Sequence, residues 1–129
     1  MSKILIVDDD EGILEAISLS LEKEGYTAIT ASKGKEVMEK IKSEKPDLLL
    51  LDVLLSGSDG REICQRIKKT EKGKKLPVIL ISAHPTIEKS SQECGADSFL
   101  AKPFDAKDLL LVIEKYLPKE TKVSRSVLV

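Results

Sequence analysis

The chain has 129 residues, 41% hydrophobic and 33% charged, with 21 Lys and Arg against 22 Asp and Glu. That length supports one core and excludes a second domain of similar size, and the charge balance leaves no cation excess for direct nucleic-acid binding by this chain alone. No apolar run reaches the roughly 18 to 20 residues that cross a bilayer, and Met1-Ser2-Lys3 running into Ile4 is too short a start for a signal peptide, so a cytoplasmic protein with no membrane role is expected.

Ile4 to Val7 is a dense apolar run and reads as the first strand. Ile13, Ile17 and Leu21 recur at steps of four and predict a helix, with Gly25 placed as its stop. A weaker alternating segment, Tyr26 to Ala31, predicts a second strand, and Val37 with Ile41 a second helix. Leu48 to Leu51 is a third strand. Asp59 followed by Glu62 fits a capping box opening a helix through Ile63 and Ile67 to the basic end Lys68-Lys69. Val78 to Ile81 is a fourth strand, and Pro85 to Cys94 a helix with only Ile87 and Cys94 as apolar anchors, expected to be the loosest. Ser98 to Ala101 is a fifth strand, and Leu109, Val112, Ile113 and Tyr116 mark a last helix.

The runs at 4–7, 48–51 and 78–81 do not alternate with polar residues, as befits strands covered on both faces. Five alternations of strand and helix imply an α/β doubly wound parallel sheet with right-handed crossovers. Residues 118–129 lack periodicity and read as a tail or the start of a linker after a single domain over 1–117. Cys64 and Cys94 have neither metal-ligand nor redox spacing and are expected as reduced, core-filling thiols.

Ligands in such sheets sit beyond the carboxyl ends of the strands. There the first strand runs into Asp8-Asp9-Asp10-Glu11, and the third ends on Asp52. A solvated turn in which Asp10 caps the next helix accounts equally well for the 8–11 cluster taken alone. Adding Asp52 from the neighbouring strand brings three carboxylates together, and like charges about 4 Å apart repel by roughly 4 kcal/mol at an effective dielectric of 20. Such a cluster raises a pKa or recruits a cation, and hard oxygen donors without His or Cys suit Mg²⁺, with Mn²⁺ able to substitute. Ser82 closes the fourth strand with a hydroxyl donor, and Lys102 lies just beyond the fifth with a point charge. An in-line carboxylate nucleophile, a shared cation and surrounding donors are what phosphoryl transfer needs.

The stretches Ile4-Leu5-Ile6-Val7-Asp8-Asp9-Asp10, Leu48-Leu49-Leu50-Leu51-Asp52, Leu80-Ile81-Ser82-Ala83 and Ala101-Lys102-Pro103-Phe104 resemble, in order and spacing, the signatures of two-component response-regulator receiver domains. The resemblance covers residues 3 to about 117 and implies a flavodoxin-like five-stranded sheet of order 2-1-3-4-5 with helices on both faces. It further implies that Asp52 is the phosphoacceptor, that Asp8, Asp9, Asp52 and the main-chain carbonyl of Leu54 hold the metal, and that Lys102 contacts the phosphoryl group. Ser82 and Phe99 would be the switch pair, while Leu54 and His84 occupy positions that tune phosphate lifetime. A cis Lys102-Pro103 bond is also implied. The expected function is a phosphorylation-dependent signalling switch rather than an enzyme. Its partners would be a sensor histidine kinase or phosphotransfer protein and a downstream effector or fused output domain. A homodimer through the face made by the helix before Cys94, the strand at 98–101 and the last helix is compatible with this. The sequence departs from the family after the acceptor, where Ser56 stands in place of the usual Pro and Ser58 in place of Met, so a more mobile loop is expected.

Three other readings share part of the pattern. An FMN carrier shares the strand order, but its phosphate-binding loop needs free amides where this chain has Asp8-Asp9-Asp10-Glu11. A dehalogenase-like phosphatase needs a second acid two residues after the first, where Leu54 stands. An interaction module that no longer uses phosphorylation is disfavoured by the intact set Asp8, Asp9, Asp52, Ser82 and Lys102.

Overall fold

The apolar runs become strands because each has somewhere to bury both faces. In a computed structural model, which describes residues 2–84 and 86–117, five parallel strands form one sheet: β1 (Lys3–Val7), β2 (Thr27–Ala31), β3 (Leu48–Asp52), β6 (Val78–Ser82) and β7 (Ser98–Ala101). Their order is β2-β1-β3-β6-β7, the 2-1-3-4-5 arrangement once only these strands are counted. Two-residue strands β4 (Leu54–Leu55) and β5 (Ser58–Asp59) pair antiparallel as a small hairpin outside the sheet.

Alternation along the strands divides the core in two. Leu5, Val7, Leu49, Leu51, Val78 and Leu80 face one side, against residues of α2 (Val37–Glu44), α3 (Gly60–Lys68) and α5 (Ile87–Cys94). Ile4, Ile6, Leu48, Leu50, Ile79 and Ile81 face the other, against α1 (Glu11–Lys23) and α6 (Ala106–Tyr116). Helices therefore cover both faces, as the unbroken apolar runs require. Cys64 and Cys94 are buried free thiols in the first of these layers; burial in the first place, then the neighbouring Cys94, pushes the Cys64 thiol up to about 12.

Helix ends follow local chemistry. Asp10 caps α1 by accepting from the N–H groups of Gly12 and Ile13 at 2.9 and 3.2 Å, and α1 stops before Gly25, whose φ of +90° a side chain would resist. Asp105 and Asp108 form a reciprocal capping box on α6. At α3 the expected box between Asp59 and Glu62 is replaced by another arrangement. Asp59 accepts from the Arg61 N–H at 2.9 Å, and the Arg61 guanidinium closes on the same carboxylate at 2.7 Å.

Strand limits differ from the apolar runs by a residue: Tyr26 precedes β2, and β3 and β6 each take in the polar residue that follows the run. A five-residue helix, α4 (Glu71–Lys75), had no apolar periodicity to announce it. It starts where the Thr70 hydroxyl accepts from Gly73 N–H at 2.9 Å. Pro85, expected at the start of the loosest helix, and the tail 118–129 lie outside the described residues.

Candidate functional site: an acidic cluster at the strand ends

Register places the polar residues together. Val7 is opposite Leu51, Asp52 opposite Ile81, and Ser82 opposite Ala101, so Asp8, Asp52, Ser82 and Lys102 all stand at one edge of the sheet. Main-chain bonds continue past the strand ends: Asp8 N–H donates to Ala31 O at 3.2 Å, Val53 N–H to Ile81 O at 3.0 Å, and Lys102 N–H to Ser82 O at 3.0 Å. The backbone under each functional side chain is thus part of the ladder.

Carboxylate oxygens of Asp8, Asp9 and Asp52 lie within 4.8 Å of one another. Asp8 and Asp52 are buried, only 3% and 5% exposed, whereas Asp9 is open to solvent. The Lys102 ammonium lies between the two buried acids, 3.4 Å from Asp8 Oδ2 and 3.5 Å from Asp52 Oδ2. Asp8 also accepts from the Asp10 N–H at 2.9 Å.

Burial first, and the charge of Asp8 second, push the Asp52 carboxyl above its ordinary value; Lys102 and the Leu54 N–H act against this and do not cancel it. Asp9 is held below its ordinary value by the Ser56 hydroxyl and then by the Ser56 backbone N–H. Those two groups donate to Asp9 Oδ2 at 2.9 and 3.1 Å. The loop after Asp52, expected to be looser for having Ser56, therefore gains a tether to the first strand's turn that a proline could not make.

The hairpin carrying this tether turns at Ser56-Gly57, with φ of +75° at Gly57. Positive φ at the third turn residue is the requirement of a type II turn and explains the glycine. Leu54 begins this hairpin, with its side chain 76% exposed and its N–H directed to Asp52. Gly60 opens α3 hard against the acceptor: a Cβ there would collide with the Asp52 carbonyl oxygen.

Ser82 is buried, and its Oγ accepts from the His84 N–H at 3.0 Å, leaving its own proton to donate. His84 is exposed and turned to Thr86, whose N–H and hydroxyl reach Nδ1 at 3.2 and 2.8 Å. Phe99 is not part of the acidic cluster. It lies half-buried on β7, opposite Leu80, and packs on the core layer that includes Ile87 and Cys94 of α5. Lys102-Pro103 is cis. Beside Lys102 an apolar depression of about 450 Å³ is lined by Ile13, Ala16 and Ile17 of α1 together with Ala83, Pro103 and Phe104.

The donor set suits a hard divalent cation: carboxylate oxygens from three residues, no His or Cys ligand, and one lysine as the near counter-charge among the described residues. With such a cation held beside Lys102, the set would neutralise and orient an incoming anionic group at the buried carboxylate.

A family model, the response regulator receiver domain, matches residues 4–114. The response regulator MprA of Mycobacterium ulcerans is 38% identical over 110 residues, 84% of this chain and 47% of that protein. The alkaline phosphatase synthesis transcriptional regulatory protein PhoP of Bacillus subtilis is 38% identical over 109 residues, 83% of this chain and 45% of that protein. The chain spans about half the length of these curated relatives. The structure of the chemotaxis response regulator CheY4 of Vibrio cholerae superposes with a TM-score of 0.84 at 28% identity, covering 91% of this chain and 99% of that one. With the sheet order, the clustered acids and the lysine in agreement, this chain belongs to the response regulator receiver domain family, the signalling modules of two-component systems.

Proposed function

We propose that Asp52 accepts a phosphoryl group from a histidine kinase, a phosphotransfer protein or a small phosphodonor, with Mg²⁺ held by Asp8, Asp9, Asp52 and the main-chain carbonyl of Leu54. One observation carries this reading: a buried Asp52 carboxylate with a lysine ammonium at 3.5 Å and oxygens of two further acids within 4.8 Å. When bound, the cation, for which Mn²⁺ can substitute, neutralises the acids and the phosphoryl oxygens they face.

Asp52 is the nucleophile. Its oxygen forms the new bond to phosphorus as the donor's P–N or P–O bond breaks, and the bonding pair leaves with the donor's imidazole or carboxylate. Lys102, now shared between two carboxylates, turns its ammonium to the phosphoryl oxygens. The Ser82 hydroxyl donates its uncommitted proton to another. Burial that disfavours the bare Asp52 anion favours its conversion to an acyl phosphate, a mixed anhydride whose charge sits farther out among donors. The donor's approach is over α1, where the apolar depression beside Lys102 offers it a surface.

The chain acts as a switch and catalyses only its own modification and its loss, with Leu54 and His84 at the mouth setting the lifetime. Drawing Ser82 toward a phosphoryl oxygen vacates space beside β6 into which Phe99 turns, changing the surface of α5, β7 and α6 that meets an effector, an output domain or a second copy. Residues 1–117 form the receiver unit in this reading, with 118–129 a tail or the start of a linker, and it works in the cytoplasm. The test is intact-mass analysis after acetyl phosphate with Mg²⁺. One hydroxylamine-labile phosphoryl group is expected, absent in Asp52→Asn; a label that survives that substitution refutes the assignment.

A further inference from the structure

Ser56 and Asp9 are 47 positions apart, yet both donors of Ser56 converge on one oxygen of Asp9, the hydroxyl at 2.9 Å and the backbone N–H at 3.1 Å. This joins the turn after β1 to the hairpin that follows the acceptor. Both donors are free to do so because of the turn. Ser56 occupies its second position, where the backbone N–H is not used by the hairpin pairing of Leu54 with Asp59 and Leu55 with Ser58.

Resting on the cation site proposed above, we infer that Ser56 is a positioning residue for that site: it holds Asp9 by Oδ2 and fixes the hairpin, with the Leu54 carbonyl, against the acids. A carboxylate has about four lone-pair positions, and the clamp uses two on a single oxygen, so acceptor capacity remains for the cation beside the bond from Asp9's own backbone N–H. A hydrogen-bonded carboxylate is also a better-oriented ligand than one free to rotate on an exposed turn. Asp9 is the exposed member of the three, with no sheet packing to orient its side chain. Asp8 and Asp52 are oriented by burial and by Lys102, so the clamp does for Asp9 what packing does for them.

Three substitutions separate the contributions. Ser56→Ala removes the hydroxyl bond and keeps the backbone one. Ser56→Pro removes both, at a turn position where proline's φ is favoured and the fold is kept. Ser56→Thr keeps both. Mn²⁺ binding to the unphosphorylated chain, followed by water-proton relaxation, is expected to weaken about tenfold in Ser56→Pro, the usual effect of losing an outer partner of a metal ligand. A smaller loss is expected in Ser56→Ala and near-parental affinity in Ser56→Thr, while urea midpoints without metal stay together. Equal or tighter binding in Ser56→Ala and Ser56→Pro, or failure of Ser56→Thr to restore it, overturns the positioning role. Parental protein that binds no Mn²⁺, or binds it as well after Asp52→Asn, overturns instead the cation site on which the inference rests.

Discussion

Replacing Asp52 with Asn should stabilise the metal-free fold at neutral pH although it removes the proposed nucleophile. At an effective dielectric of 20, an Asp8 oxygen at the 4.8 Å limit repels Asp52 by about 3 kcal/mol, and Lys102 at 3.5 Å attracts it by about 5 kcal/mol. Asp9 adds repulsion, screened by its exposure, so the direct charge terms come close to cancelling. Burial then decides the sign, and it opposes the anion. The net gain on removing the charge is on the order of 1–3 kcal/mol, the usual cost of an incompletely compensated buried group. A folded pKa raised above 3.8 means the native state holds its proton longer than the unfolded chain, so parental stability falls as pH rises from about 3.8 through the raised value and is flat above it. The Asn variant lacks this loss. Urea unfolding of both proteins from about pH 4 to about pH 8 without divalent ions should show curves that meet at the acid end and separate toward neutrality. Saturating Mg²⁺ should close the gap by stabilising only the parent, by about 2.7 kcal/mol at one hundred times its dissociation constant. An Asn variant equal to or less stable than the parent at neutral pH refutes the reasoning. A gain that does not change with pH assigns the effect to packing instead.

Lys102→Met should destabilise by about 3 kcal/mol at neutral pH, since it leaves two buried acids without their shared cation, and should tighten Mn²⁺ binding by removing a competing charge; calorimetric titration and urea unfolding read the two effects. Gly60→Ala should destabilise by about 1–3 kcal/mol, because the added Cβ overlaps the Asp52 carbonyl and forces α3 outward, with loss of phosphoryl labelling as the second readout. Asp97→Ala should cost about 1–3 kcal/mol in urea unfolding, because one of its oxygens takes both the Val78 N–H and the Lys68 ammonium at 2.8 Å, tying the start of β6 to the end of α3. With beryllofluoride, hydrogen exchange should change most in α5 and β7, and less so in Ser82→Ala; changes centred on α1 or α2 refute the switching route.

The sheet was readable because burial on both faces leaves no room for polar residues in the middle of a strand, so Ile4 to Val7, Leu48 to Leu51 and Val78 to Ile81 stand out as unbroken runs. For the same reason the strand ends were misplaced by one residue. Asp52 and Ser82 are polar, and only the tertiary ladder shows that their backbones still belong to it. Apolar residues at steps of three and four revealed α1 and α6, whereas α4 is a single capped turn, TEKGKK, that buries little beyond Gly73 and carries no period. The hairpin after Asp52 had a local signal in Gly57, but strands of two residues produce no pattern. Of the site, Asp8, Asp9, Asp52, Ser82 and Lys102 were legible from their places after apolar runs. Ser56 was not. A serine in a turn is ordinary, and what distinguishes this one is a carboxylate 47 positions away in sequence, brought to it by the pairing of β1 with β3. Asp59 was recognised as a cap while its partner was misassigned, because the Arg61 guanidinium competes for the same carboxylate.

The order of forces at the site follows from where its residues are anchored. The backbones of Asp8, Val53 and Lys102 are each bonded into the neighbouring strand, so the acids cannot separate to relieve their repulsion without breaking sheet bonds that also hold the core. The repulsion is retained and balanced by one lysine that two acids share. Anything that brings positive charge or hydrogen-bond donors to that edge is therefore favoured by the arrangement already present, with little reorganisation of the sheet. What can yield lies outside the ladder: the Ser82 hydroxyl and Phe99, only half-buried on the edge strand β7. On the proposed assignment, a phosphoryl group on Asp52 would draw on Ser82 and Lys102 together, at the ends of the last two strands, so its differential affinity would be expressed in the elements those strands carry more than in β1 and β2.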